Sequence, residues 1–152
     1  RSTLGAGPSI PKSFTMRLEV SRRADLAVRA LQVLAAADGR VKATALAEAL
    51  GTTAGFVAQV MAPLVQQDWV RSEPGPTGGY AARAGVHEVS VLAVIEAVDG
   101  ATDRGRCVVE AKECDGSRPC ALHQAWSAAR SGLMDSLAAT PVTSAFAADR
   151  AG

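Results

Sequence analysis

Aromatic side chains are scarce in this chain of 152 residues: three Phe, two Trp and one Tyr. With so few rings and so much Ala, Val and Leu, the composition points toward helices. A dominant charge is missing too. The formal net charge is +1 and the isoelectric point about 8.0, so the overall balance gives no strong vote for a nucleic-acid partner. No apolar run approaches the roughly 20 residues of a membrane-spanning helix, and no secretory signal pattern is present. Cysteine is sparse and odd in number, three in all, so full pairing into a disulfide framework is excluded. A cytoplasmic, reducing compartment is therefore expected, where thiols stay available to bind metal. The length suits one compact domain, or a small domain with an added arm.

What is present concentrates in one stretch. Cys107 to His123 reads CVVEAKECDGSRPCALH and holds all three cysteines and one of the two histidines. Six residues separate Cys107 from Cys114, five separate Cys114 from Cys120, and His123 follows Cys120 by one helical turn. Gly116, Ser117 and Pro119 favour a bent loop that can turn the thiols toward a common point. Thiolates with an imidazole are ligands for soft or borderline metals. An iron–sulfur site suits the wide spacing, with an imidazole or a carboxylate as fourth ligand. A structural zinc site has enough donors but lacks paired C-x-x-C knuckles. Scattered thiols without metal are the bland alternative. A Cys120–His123 nucleophile and base would make an enzyme, but no third orienting group or oxyanion motif accompanies the pair.

Along the chain, residues 1–15 are rich in Gly, Ser and Pro and lack periodicity. They are expected to be a cloning remnant or a disordered arm, with Met16 as the natural start. Asp25 to Ala37 predicts a helix with Leu26, Ala30, Leu31 and Leu34 on one stripe, closed near Gly39. Arg17, Arg22, Arg23 and Arg29 cluster at its front, a solvated face or a phosphate clamp. Thr44 is the expected N-cap of a short helix ended by Gly51. Thr52 and Thr53 then cap a helix bearing Phe56, Val57, Val60, Met61 and Leu64, with Pro63 a cost inside it. Two short helices about a tight turn predict a helix-turn-helix. Trp69–Ser72 and Tyr80–Ala82 predict strands around the turn PGPTGG, the hairpin called a wing. In it, Gly78 and Gly79 permit close approach or positive φ. Ser90 caps a helix whose apolar face is Val91, Leu92, Val94, Ile95 and Val98, closed by Gly100. From about Cys120 to Ala139 a long helix carries Leu122, Trp126, Leu133, Met134 and Leu137, more than the small domain needs for its own core. Such a helix commonly pairs with its twin in a symmetric dimer. Trp69 and Trp126 read as packing residues, Pro141 stops the long helix, and the remainder to Gly152 is expected to be a loose tail.

The expected fold class is mainly α with a β-hairpin wing, a winged helix-turn-helix plus a long dimerisation helix. Its expected parts are a DNA-binding domain over 16–100, a cysteine-bearing loop over 101–119, a dimerisation helix over 120–140 and a tail over 141–152.

The segments MRLEVSRRADLAVRAL, GFVAQVMAPLVQQDWVRS, GPTGGY and VLAVIEAVDG, followed by three cysteines, resemble the IscR/NsrR family of iron–sulfur-dependent winged-helix transcription regulators. The resemblance runs from Met16 to about residue 140. It implies a homodimer on a palindromic DNA operator, acting as a repressor that senses nitric oxide, redox state or iron status. It also implies a [2Fe-2S] or [4Fe-4S] cluster held by Cys107, Cys114 and Cys120. The fourth ligand varies between branches. One branch places a His three residues after the last cysteine, which falls on His123 without a gap. Another uses an Asp from the partner's first helix, which falls on Asp25 once two extra residues near Met16 are allowed. The first cysteine gap is one residue longer than the family's usual five. On the DNA side, Gly55, Phe56 and Gln59 fall where the recognition helix reaches base edges, with Thr53 at its start and Thr77 and Gly78 in the wing. Gln is a sound adenine reader. This helix has no charge between Thr52 and Gln67, so phosphate affinity is expected from Arg17, Arg22, Arg23, Arg71 and backbone amides. Pro74 stands where the family often has a wing Arg, and Arg71 is the expected substitute. A metal-free thiol sensor on the same fold is the alternative.

Overall fold

The computed structural model describes residues 20–102 and 117–145. In order these form helices α1 (Arg22–Ala36), α2 (Ala43–Leu50) and α3 (Ala54–Gln66), strands β1 (Val70–Glu73) and β2 (Gly79–Ala82), then α4 (Val91–Asp99) and α5 (His123–Ala139). Two short 3₁₀ turns, Val86–Glu88 and Val142–Ser144, complete the set. The expected mainly α winged helix-turn-helix with a long final helix is what the chain adopts.

Helix α1 is the hub. Its Ala24, Leu26, Ala27, Val28, Ala30, Leu31 and Leu34 are all buried. Around them close Leu46 of α2, Val57, Val60, Met61 and Leu64 of α3, Val70 of β1, and Val94, Ile95 and Val98 of α4. Each fully buried aliphatic side chain stabilises by about 1.5–3 kcal/mol relative to exposure. Three helix starts are fixed by hydroxyls: Ser21 Oγ accepts from Ala24 N–H at 3.1 Å, Thr53 Oγ1 from Phe56 N–H at 3.2 Å, and Ser90 Oγ from Ala93 N–H at 3.1 Å. Gly51 ends α2 in the left-handed conformation, φ 62° and ψ 40°.

The hairpin is antiparallel, pairing Val70 with Ala82 through to Glu73 with Gly79. Its return strand is also stitched to the α1–α2 connection. Val41 N–H donates to the Tyr80 carbonyl at 2.8 Å, and Tyr80 N–H to the Val41 carbonyl at 2.9 Å. Gly79 makes this possible. At φ 150° a side chain is strained, and a Cβ there would lie 2.4 Å from the Val41 carbonyl oxygen.

Beyond one-residue shifts of the two strands and a start of α5 at His123 and not Cys120, the structure departs from the sequence expectations at four places. Helix α1 starts at Arg22, three residues before the expected Asp25, because Ser21 supplies the cap. Its C-cap is Ala37, in extended conformation, so Gly39 does not close it. The N-cap of α2 is Lys42, without a side-chain bond, and Thr44 lies inside the helix; the Val41–Tyr80 pairing anchors that entry instead. The segment after Pro141 is no loose tail over its described part. Val142 is fully buried, its N–H donates to the Val89 carbonyl at 2.8 Å, and Gln32 Nε2 donates to the Val142 carbonyl at 2.8 Å. Thr140 accepts from Val91 N–H at 2.9 Å, so the chain returns onto α1 and α4 directly beyond α5.

Helix α5 differs from the rest: none of its residues is buried among the described residues. Arg130 Nη2 donates to the Thr102 carbonyl at 3.0 Å, and Leu137 packs partly against the core. Leu133, and Leu122 just ahead of the helix, remain 45% and 50% exposed.

Candidate nucleic-acid interface and cysteine segment

Helices α2 and α3 turn by 99° at their break, within the range for a helix-turn-helix pair. The inner face of α3 is spent on the core, through Val57, Val60, Met61 and Leu64. Its outer face carries Gly55, Ala58, Gln59 and Ala62, all exposed, uncharged and small apart from Gln59. Such a face can approach a groove floor closely, with Gln59 and, two turns on, the exposed Gln66 as its long hydrogen-bonding side chains. Gly55 has open space around it. Phe56 is only half exposed and packs against the core, so its ring is divided between packing and surface. Thr53 is exposed, but its hydroxyl oxygen is used as the helix cap.

The arginines are placed unequally. Arg22 is exposed at the first turn of α1, and Arg17 lies outside the described residues. Arg23 is exposed and reaches α3, where its Nη2 donates to the Gln59 carbonyl at 3.3 Å. Arg29 grips both carboxylate oxygens of Asp25, at 3.2 and 3.1 Å. On the wing, Arg71 Nε lies 3.2 Å from Glu73 Oε1, while Glu73 Oε2 is bonded by Arg40. Arg40 and Glu73 carry no local sequence signal, because their pairing spans 33 positions. The wing tip, Pro74 to Thr77, is exposed. Gly78 is buried: its N–H donates to the Gly75 carbonyl at 3.0 Å, and a Cβ there would lie 2.0 Å from the Glu73 carbonyl oxygen. It is thus a turn-forming position, whose amide is already engaged.

Of the cysteine segment, Cys107 and Cys114 lie outside the described residues. Cys120 and His123 do not. His123 N–H donates to the Cys120 carbonyl at 3.1 Å, so the two occupy one turn leading into α5, and both are half-buried. A thiol and an imidazole on one turn are donors of the type an iron–sulfur cluster or zinc accepts, so the donor chemistry present fits such a group. Among the described residues no three of His, Cys, Asp and Glu converge on one point. Asp25 is therefore not brought together with Cys120 and His123 within one subunit. Its ion pair with Arg29 is no barrier to ligation, since the side chains are 38% and 47% exposed and such pairs are worth only about 0–1 kcal/mol.

A trihelical core with a helix-turn-helix and a hairpin directly behind its second helix defines the winged-helix fold. Residues 20–147 match the sequence model of Rrf2, an iron-dependent transcriptional regulator family, and the chain belongs to that family. Transcriptional regulation is what that family's description names. It is similar to the HTH-type transcriptional regulator IscR of Vibrio vulnificus, with 30% identity over 92 residues, 60% of this chain and 54% of that one. The chain thus spans about half the length of that relative. In three dimensions it is similar to CymR of Staphylococcus aureus in an oxidised form, with a TM-score of 0.65 and 23% identity over 83% of this chain and 94% of that one. It is also similar to IscR of T. potens, with a TM-score of 0.62 and 22% identity over 84% and 85%. At these identities the structural likeness establishes the fold alone.

Proposed function

We propose that this regulator is a homodimer that binds a palindromic operator through α3 and the wing, and that the Cys107–Cys120 segment holds an iron–sulfur cluster whose state alters operator affinity. The observation that carries the reading is the join between sensor and scaffold: Cys120 and His123 form the turn that enters α5, a helix with no buried residue in its own subunit. Whatever fixes that turn also fixes where α5 begins. Leu122 and Leu133, half exposed, supply apolar surface for a partner's α5. When bound, the cluster would tie three thiolates of one segment together and respond to nitric oxide, oxidants or loss of iron. Cys107, Cys114 and Cys120 are the proposed thiolate ligands, with His123, or Asp25 of the partner subunit, as the fourth. Gly55, Phe56 and Gln59 face the bases, while Arg22, Arg71 and the outlying Arg17 supply phosphate contacts, with the wing around Thr77 and Gly78 against the backbone. The proposed parts are a DNA-binding domain over 16–100, a ligand loop over 101–119 and a dimerisation helix over 120–140.

A second reading, thiol oxidation without metal, is kept because one similar structure, that of the S. aureus protein, is of an oxidised form. Anaerobic purification with iron and sulfide counts separates the two. Stoichiometric iron and sulfide, lost in a folded Cys114→Ala variant, support the cluster. A colourless, iron-free protein whose DNA binding follows thiol oxidation supports the alternative.

A further inference from the structure

The structural role of Arg23 follows from a proline. In an α-helix each carbonyl accepts from the N–H four residues on. The donor for Gln59 would be residue 63, and that residue is Pro63, which has no N–H. The Gln59 carbonyl therefore has no intrahelical donor, although it lies in mid-helix. Arg23, 36 positions earlier and on a different helix, directs its Nη2 to this oxygen at 3.3 Å. The arginine thus closes the gap left by Pro63 at Gln59, whose own side chain is exposed on the outer face of α3.

We propose that Arg23 is a positioning residue for the recognition helix, holding the Gln59 segment of α3 against α1, and not chiefly a phosphate contact. The proposal rests on α3 being the groove-reading helix. It makes operator specificity depend on a side chain that need not touch a base. It also makes Arg23 and Pro63 energetically coupled, because the arginine has this role only while residue 63 lacks an N–H.

The test uses the full chain and two duplexes: one enriched by the wild-type protein from a randomised pool, and a scrambled duplex of equal length and composition. Arg23→Ala is expected to lower the preference for the selected duplex by roughly tenfold. Its salt dependence on the scrambled duplex should stay that of wild type. With Pro63→Ala in place, residue 63 supplies its own N–H, and adding Arg23→Ala should then change the preference and the thermal midpoint far less than it does beside Pro63. The proposal is overturned if Arg23→Ala weakens both duplexes alike and lowers the salt slope by about one, the signature of a lost phosphate contact. It is also overturned if the Arg23 effect on the thermal midpoint is the same with proline or alanine at 63. Failure of the wild-type protein to enrich any duplex would instead overturn the reading of α3 as the groove-reading helix, and the proposal with it.

Discussion

At the scale of single residues, the wing shows how a local sequence demand and a long-range contact coincide. The pair Gly78–Gly79 is legible from sequence because a tight turn with close backbone approach has few other solutions. What the sequence does not display is the partner being approached, Val41, which lies some forty positions earlier. Gly79→Ala is expected to cost about 1–3 kcal/mol from its backbone conformation alone, and more from the 2.4 Å approach to the Val41 carbonyl. Chemical denaturation checks this, and a loss below 0.5 kcal/mol would mean the hairpin relaxes freely, an outcome typical of unconstrained surface sites at about that size. The wing arginine has a related but electrostatic constraint. Glu73 sits between Arg71 and Arg40 and would compete with any phosphate that Arg71 contacts. Glu73→Gln is therefore expected to strengthen binding to a non-operator duplex at low salt and to steepen its salt dependence by up to about one unit. Unchanged binding in a salt titration would show that Arg71 lies off the DNA path.

At the scale of elements, legibility follows how local the determining interactions are. The apolar stripe of α1, the face of α4 and the inner face of α3 were readable because burial repeats at helical spacing along contiguous residues. The start of α1 was hidden for a physical reason: Arg22 and Arg23 place positive charge in a first turn, where the helix dipole disfavours it. Burial of Ala24 and the Ser21 cap outweigh that cost. The entry to α2 is not legible locally, because Thr44 is a good cap by chemistry while the actual anchor is a backbone pairing to the wing. Val142 was missed for the same reason, since one valine after a proline carries no periodic signal. Val142→Ala should cost about 1.5–3 kcal/mol. A thermal midpoint unchanged from wild type would contradict the docking of that turn. Helix α5 makes the opposite prediction. Leu133→Lys places a charge on a face 45% exposed in the single subunit, so helical content and monomer stability should hold while self-association weakens. Sedimentation velocity distinguishes this from a helix that faces only solvent, for which the variant would sediment as wild type does.

At the scale of the whole molecule, the chain combines a well-packed winged-helix head with one helix none of whose residues is buried among the described residues. The head was largely visible in sequence, because helix order, wing chemistry and the Thr53 and Ser90 caps are local signals that agree with one another. The candidate sensor was visible only as donor chemistry and spacing. Cys107 and Cys114 lie outside the described residues, and Asp25 does not meet Cys120 and His123 within a subunit. A coupling of about 1–3 kcal/mol between the cysteine segment and α3 would suffice for regulation, or roughly 5- to 150-fold in operator affinity. The most direct measurement is the affinity of anaerobically purified protein for its selected operator duplex, before and after removal of iron and sulfide, with oligomeric state recorded for both forms. The account predicts an iron- and sulfide-containing dimer whose affinity changes by at least about fivefold when the cluster is removed. An iron-free protein, or a cluster-bearing one whose operator affinity is the same in both states, would contradict it.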